Sequence, residues 1–177
     1  ALRPTELIGA EWTEINFDTG QWVLPAKRRK LKMVRKKANR AVDALIIPLS
    51  TQAICILEEL HQFTGRGRLL FPSNRGNDRH LSENALRVAL RTLGYSNNDH
   101  TAHGFRGSFS TMMNELEPKS KIMIDAVLGH KISDDVEGAY NTAQYVGEKK
   151  RILQKWADYI DGLRAGADVI QFSSKQA

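Results

Sequence analysis

Residues 13–24 read Thr13-Glu14-Ile15-Asn16-Phe17-Asp18-Thr19-Gly20-Gln21-Trp22-Val23-Leu24, and this stretch predicts two strands joined by a tight turn. Polar and apolar residues alternate through 13–17, as they do in a strand with one buried face. Asp18-Thr19-Gly20 supplies the turn, and the strand pattern resumes at 21–24 before Pro25. A third strand is predicted at 44–49, where Pro48 marks its end. The N-terminal part of the chain therefore predicts a small three-stranded antiparallel sheet.

A strongly basic segment separates the second predicted strand from the third. Residues 27–40 hold nine of the 26 Lys and Arg and no acid, which leaves 17 basic against 20 acidic residues elsewhere. Concentrated positive charge favours a polyanionic partner, because neutralised phosphates release condensed counterions. A flexible, solvated loop is the alternative interpretation, and a loop this basic could also order on meeting DNA. The predicted DNA-contacting side chains are Lys27, Arg28, Arg29, Lys32, Arg35, Lys36 and Lys37.

From residue 50 onward the apolar spacing predicts helices. The predicted helices cover 51–65 with Ser50 or Thr51 as cap, 82–94 with Ser82 as cap and Leu86, Leu90 and Leu93 on one face, 103–116, 118–129, a short helix from Ser133 and a final helix over 147–164. Residues 71–79 are predicted to form a polar loop. The fold class is therefore α+β, mainly α-helical with the small sheet near the N-terminus. We expect one domain over 1–164 and a tail over 165–177.

Composition excludes several classes of protein. No apolar stretch approaches the roughly 20 residues that a membrane span needs, and the first residues lack the pattern of a signal peptide. The single cysteine, Cys55, excludes an intrachain disulfide and fits a reducing compartment.

Several side chains are of the types that phosphodiester cleavage needs. Arginine suits the stabilisation of phosphate oxygens, because its planar fork donates two parallel bonds and keeps its charge; Arg3 and Arg106 are the candidates. His103, one helical turn before Arg106, and His130 can donate to phosphate oxygens or move a proton. Tyr140 is the candidate nucleophile, with its phenol activated by the surrounding positive charge.

Each of these residues also has a purely structural interpretation. Tyr140 could be a packing residue, a histidine after a helix could be a cap, and Arg3 could form an ion pair with Glu6 three residues later. His100 and His103 have a weakly zinc-like spacing, but no second cysteine or acidic cluster is spaced to complete a site. The sequence therefore predicts no metal.

Four short motifs and their order resemble the signature boxes of the tyrosine recombinases, above all integrases of temperate phages and genomic islands. The motifs are Leu2-Arg3-Pro4-x-Glu6-Leu7, His103-Gly-Phe-Arg106, Leu128-Gly-His130 and Ala139-Tyr140-Asn141. Short flanking segments such as Ile47-Pro48-Leu49-Ser50 and Trp156-Ala157-Asp158-Tyr159 lie where members of that group have similar segments. The resemblance covers about residues 1–164.

The resemblance implies a role for each motif residue. Arg3 and Arg106 would clamp the phosphate, His103 would pair with the second arginine, and His130 would bond a non-bridging oxygen. Tyr140, ten residues after His130, would be the nucleophile in preference to Tyr145, and Glu6 would support Arg3. The family also has a lysine between the second and third strands that acts as general acid. This hairpin is longer and holds several lysines, of which Lys30 matches best and Lys32 is next.

The resemblance further implies the fold of a recombinase catalytic domain, which breaks and rejoins DNA through a 3′-phosphotyrosyl intermediate. The implied partners are double-stranded attachment-site DNA and further copies of the protein, as a tetramer on DNA. No cofactor, metal or membrane is implied, and the implied location is the bacterial cytoplasm. Family members have further helices before the first arginine, so the chain is expected to be a truncated catalytic domain.

Two other functions remain compatible with the residues. A DNA-binding module without catalysis would use the basic segment alone and show a steep salt dependence without a covalent adduct. A type IB topoisomerase shares the chemistry, although the flanking segments favour integrases.

Overall fold

The computed structural model describes residues 1–130 and 145–166. It confirms the three-stranded antiparallel sheet, with strands β1 (Ile15–Asn16), β2 (Gln21–Leu24) and β3 (Leu45–Pro48) in that order. Trp22 in the central strand pairs with Ile15 on one side and with Ile47 on the other. Alternate residues of β2 are buried, as the period-two pattern of the sequence predicts.

Helices make up most of the remaining described chain. They are α1 (Pro4–Ile8), α2 (Met33–Ala38), α3 (Thr51–Thr64), α4 (Glu83–Thr92), α5 (Gly104–Leu116), α6 (Lys121–Val127) and α7 (Val146–Arg164). Ser50 caps α3 as predicted, because its hydroxyl accepts a bond from the Ala53 N–H. Ser82 stands at the cap position of α4 without a side-chain bond. The short helix predicted from Ser133 to carry Tyr140 lies outside the described residues.

Three local predictions need correction. The predicted polar loop at 71–79 contains a hairpin, with β4 (Pro72–Ser73) antiparallel to β5 (Gly76–His80). The basic segment is not one loop, because α2 forms inside it. Lys, Arg, Met and Ala favour a helix even without an apolar stripe, and Asn39 in the left-handed conformation ends it. Leu93, predicted to share one helix face with Leu86 and Leu90, lies past the end of α4 and is 72% exposed.

Two apolar clusters form the core, and α7 contacts both. The first lies on the sheet and includes Trp22, Leu24, Leu45, Leu57 and Leu70. The second joins α5, α6 and α7 through Phe109, Met113, Ile124, Leu128 and Ile152. Leu153 of α7 packs against both clusters, so this helix fixes the sheet relative to α5 and α6. Within the described ranges, no helix is long and apolar enough to cross a membrane.

Candidate active site

Arg3 is held in place by Glu6, one turn further along α1. The Arg3 N–H donates to one Glu6 carboxylate oxygen and the guanidinium to the other, each at 3.0 Å. Glu6 is 2% exposed. A buried carboxylate needs partners that satisfy both oxygens, and this one finds them in a single residue. The ion pair foreseen as a structural interpretation therefore exists, and it also aims Arg3.

Arg28 belongs to the basic segment, yet its side chain bonds to α1 and to the start of the sheet. Its guanidinium forms a 2.5 Å ion pair with buried Glu14, which also accepts a bond from the Trp22 indole N–H at 3.0 Å. The same guanidinium donates to the main-chain carbonyl of Glu6. Arg28 thus connects the sheet to the turn of helix that positions Arg3.

Arg106 lies in the first turn of α5 and is buried. Arg3, Arg106 and His130 are together called the cluster below. The Arg106 guanidinium donates to the carbonyl oxygens of Ala1 at 2.6 Å and of Leu128 at 2.5 Å. Burial lowers its pKa, the nearby charge of Arg3 lowers it further, and Glu6 opposes both effects. Since a guanidinium stays protonated at neutral pH even so, Arg3 and Arg106 form a local concentration of positive charge.

His130 follows the end of α6 and joins this cluster. Its Nε2 lies 3.1 Å from Nη2 of Arg106, and its Nδ1 lies 2.9 Å from a carboxylate oxygen of Asp125. Arg3, Arg106 and His130, which are distant in the sequence, are therefore brought to one place.

Arg29 belongs to the wall of the same cluster. Its guanidinium donates to the carbonyl of Asp43 at 2.7 Å and to that of Gly129 at 3.4 Å. Burial is the largest effect on the pKa of Arg29 and lowers it. The nearby charge of Glu6 raises this pKa, and that of Arg3 lowers it. The contact with Gly129 links the start of the basic segment to the residue before His130.

Lys149 of α7 is a buried amine near Arg29. Only 2% of the residue is exposed, and its Nζ donates to the carbonyl of Ile46 in β3 at 3.4 Å. Burial lowers its pKa, and the charge of Arg29 lowers it further. No sequence pattern distinguishes Lys149 from the lysines of a solvent-facing helix surface, so its burial could not be predicted.

The other predicted site residues lie around the cluster or outside the description. His103 precedes α5 with its side chain exposed, and its ring forms no hydrogen bond with another described residue. Lys30 and Lys32 are exposed on the segment that follows Arg29. Tyr140 lies outside the described residues, and Tyr145 precedes α7.

The basic segment presents an exposed cationic surface beside the cluster. Arg35 and Arg40 pair with Asp43, at 3.7 and 2.9 Å. Within the described ranges, the lysines of the segment form no ion pair; they are Lys27, Lys30, Lys32, Lys36 and Lys37. Met33 and Val34 of α2 are also exposed. Such a surface suits a polyanion that runs past the cluster.

An apolar cleft of about 970 Å³ adjoins the cluster without being part of it. Arg106 lines one side, while the rest is lined largely by apolar residues of α1, α3, α4, α5 and α7, such as Leu7, Ile56, Phe109 and Trp156. Arg3 and His130 are not among the lining residues, so Arg106 is the member of the cluster that borders both the cleft and the other two side chains. The described residues contain no group of three or more His, Cys, Asp or Glu that could hold a metal.

Residues 1–146 match the phage integrase family. The chain belongs to this family. The integrase of Enterobacteria phage P4 is 35% identical over 164 residues, which are 90% of this chain and 37% of that protein. Prophage integrase IntA of Escherichia coli K12 is 31% identical over 173 residues, 98% of this chain and 39% of that protein.

The integrase of Shigella phage Sf6 is 30% identical over 162 residues, 91% of this chain and 39% of that protein. The chain thus spans about two fifths of the length of these phage integrase relatives. No solved structure matches it. Membership of the phage integrase family confirms the resemblance that the four motifs indicate.

Sequence reasoning missed Asp125 and placed Arg29 only on the DNA-contacting surface. A signal for Asp125 existed: an acid four residues before a helix-ending glycine lies where the chain turns back on the helix. No comparable signal marked Arg29, because its partner Gly129 is 100 residues away along the chain.

Proposed function

We propose that this chain carries the DNA-breaking and DNA-rejoining centre of a tyrosine-type site-specific recombinase, with residues 1–164 as catalytic domain and 165–177 as a tail. The observation that carries the proposal is the convergence of Arg3, Arg106 and His130, supported by membership of the phage integrase family. Three groups that can donate to phosphate oxygens, beside an exposed cationic segment, suit a DNA phosphodiester.

In the proposed reaction, the phenolic oxygen of Tyr140 attacks the phosphorus and forms the bond of a 3′-phosphotyrosyl link. The bond from phosphorus to the 5′ oxygen breaks, and Lys30 gives that oxygen a proton. The phenol passes its own proton to the imidazole of His103 or His130. Arg3, Arg106, His103 and His130 stabilise the negative charge on the non-bridging oxygens of the transition state. The 5′ hydroxyl of a partner strand then reverses the step. Because the phosphotyrosyl link keeps the phosphodiester energy, the reaction needs no nucleotide cofactor.

The basic segment would hold the duplex over this centre. Arg29 bonds to the carbonyl of Gly129, the residue before His130. Lys30 follows Arg29 directly in the chain, so its backbone begins beside the cluster. Double-stranded attachment-site DNA is the proposed substrate, with integration or excision of phage or genomic-island DNA as the outcome and a tetramer as the assembly on DNA.

The decisive experiment tests the nucleophile. The chain is incubated with nicked duplexes that span the junctions flanking its coding region, and a protease-sensitive protein–DNA adduct is measured on denaturing gels. Tyr140→Phe should form no adduct, since it lacks the attacking oxygen. Tyr145→Phe is the matched control and should form it; loss of the adduct in this variant alone would move the nucleophile to Tyr145.

A second variant separates catalysis from binding. Arg106→Ala should reduce cleavage by about 100-fold or more, since one preorganised charge-stabilising donor contributes about that much. DNA affinity should change little, because the basic segment remains. Equal loss of cleavage and binding would contradict a transition-state role for Arg106. A wild-type chain that binds DNA with a steep salt dependence but never forms an adduct would favour the non-catalytic module.

A further inference from the structure

Asp125 faces His130 because of the way α6 ends. Gly129 adopts the left-handed conformation with φ of 67°, and the His130 N–H then donates to the Asp125 carbonyl at 3.0 Å. This six-to-one bond is the Schellman ending of a helix, which turns the chain back over its last turn. The turn brings the His130 ring to the Asp125 carboxylate, with 2.9 Å between Nδ1 and Oδ1.

The second nitrogen of the ring faces Arg106. Nε2 lies 3.1 Å from Nη2 of Arg106, and a guanidinium can only donate. Nε2 is therefore the acceptor in this contact, and the proton of the neutral ring resides on Nδ1, where the Asp125 carboxylate accepts it. The bonds of the two nitrogens decide the tautomer of a histidine, and here both favour the same one.

We propose that Asp125 is a positioning residue that acts through His130, an inference that rests on the function proposed above. By holding Nδ1–H, the carboxylate aims Nε2 at the place where Arg106 binds a phosphate. When Nε2 carries a proton towards a non-bridging oxygen, the ring is positively charged and the Asp125 carboxylate stabilises that charge. Carboxylates that orient a histidine through its other nitrogen serve the same purpose in metal sites and hydrolases.

A surface ion pair without a role in catalysis is the competing explanation. The side chains of His130 and Asp125 are 47% and 39% exposed, and pairs this exposed contribute little to stability. Orientation of a ring needs only a fixed geometry, which the Schellman turn supplies. An experiment must therefore show that Asp125 affects cleavage and that it does so through His130.

The test is a double-mutant cycle in the full chain, with the nicked duplex as probe. Asp125→Leu, which removes both acceptor and charge, should lower the single-turnover cleavage rate by about 10-fold to 100-fold. Asp125→Asn should lower it less, because the amide oxygen can still accept from Nδ1. DNA affinity should stay within about twofold. In a His130→Ala background, Asp125→Leu should have no further effect on the residual rate.

An equal loss in both backgrounds would show that Asp125 acts on the structure in general and would overturn the proposal. Asp158→Asn is the matched control: this exposed aspartate of α7 also accepts side-chain bonds, from Gln52 and Gln154, and should leave cleavage unchanged.

A second measurement tests the interaction between Asp125 and His130 independently of DNA cleavage. Urea unfolding of the wild type, Asp125→Leu, His130→Ala and the double variant gives the coupling free energy between the two side chains. A favourable coupling is expected, and it should be small because both side chains are exposed; an unfavourable coupling would contradict the pair. A wild type that shows the coupling but forms no adduct would instead overturn the proposed function.

Discussion

At the scale of single residues, Glu6 determines where Arg3 points. Both oxygens of its buried carboxylate bond to Arg3, one to the main chain and one to the guanidinium. Arg3 in turn lies close enough to Arg106 to lower its pKa. The negative charge of Glu6 opposes the effect of Arg3 on Arg106, so Glu6 both aims Arg3 and partly neutralises the positive charge of the cluster.

Glu6→Gln should therefore reduce cleavage about tenfold or more, because a small misplacement of a charge-stabilising group has large effects on rate. DNA affinity should be nearly unchanged. Single-turnover adduct formation measures the first quantity and a fluorescence binding titration the second. Glu11→Gln is the control, because Glu11 forms a similar 2.6 Å pair with Arg68 away from the cluster. Equal effects of the two substitutions would contradict the assignment.

At the scale of elements, the turn after α6 meets the sheet and the basic segment at one glycine. A Cβ on Gly129 would lie 3.1 Å from Leu45 of β3 and 3.3 Å from the Arg29 guanidinium, and the residue has a positive φ. Any side chain there strains the backbone and also pushes on two neighbours. The position of His130 therefore depends on a residue that has no side chain.

Gly129→Ala should lower the free energy of unfolding by about 2 kcal/mol and slow cleavage, since the left-handed conformation alone costs about 1–2 kcal/mol for an L-residue. Gly94→Ala isolates that backbone cost, because Gly94 has a φ of 93° and nothing within 4 Å of its added Cβ. Urea unfolding of both variants gives the difference due to contact. If Gly94→Ala destabilises as much as Gly129→Ala, the contacts with Leu45 and Arg29 are unimportant.

The same scale shows what sequence can and cannot predict. The strands and most helices follow from local alternation and spacing, which residues 13–24 and 51–64 display clearly. The 72–80 hairpin escaped because its residues are polar and do not alternate. Arg28 and Arg29 resemble their basic neighbours in sequence, yet they turn inward towards Glu14 and Gly129. Long-range partners decide such placements, and local pattern holds no information about them.

At the scale of the whole molecule, Glu117 ties the end of α5 to α7. Its carboxylate bonds to Lys155 at 2.5 Å and to Arg151 at 3.2 Å. These hydrogen bonds lower the pKa of Glu117 to about 2. Since the folded value lies below the ordinary value of 4.5, the stabilisation is complete above pH 4.5 and is lost as the pH falls towards 2.

Glu117→Gln should therefore lower stability at pH 7 by less than about 1 kcal/mol, because both cationic partners are about half exposed and solvent screens the pair. The stability loss of the variant between pH 4.5 and 2 should be smaller than that of the wild type. Urea unfolding across this range measures both effects. Glu148→Gln, which removes a more exposed partner of the same Arg151, should leave the acid profile unchanged; an identical change in both variants would contradict the role of Glu117.

The carbonyl contacts of Arg106 have a consequence for ligand selectivity. Its donors already serve the main chain at Ala1 and Leu128 and the ring of His130. Both N–H groups of Nη2 are engaged, so a phosphate that bonds to this nitrogen must displace the Leu128 carbonyl or the His130 ring. A lone inorganic anion therefore gains little at Nη2 and competes poorly there. A duplex adds simultaneous contacts along the basic segment, and this avidity can drive the exchange. The chain would thus bind duplex DNA in preference to free phosphate before it contacts any base.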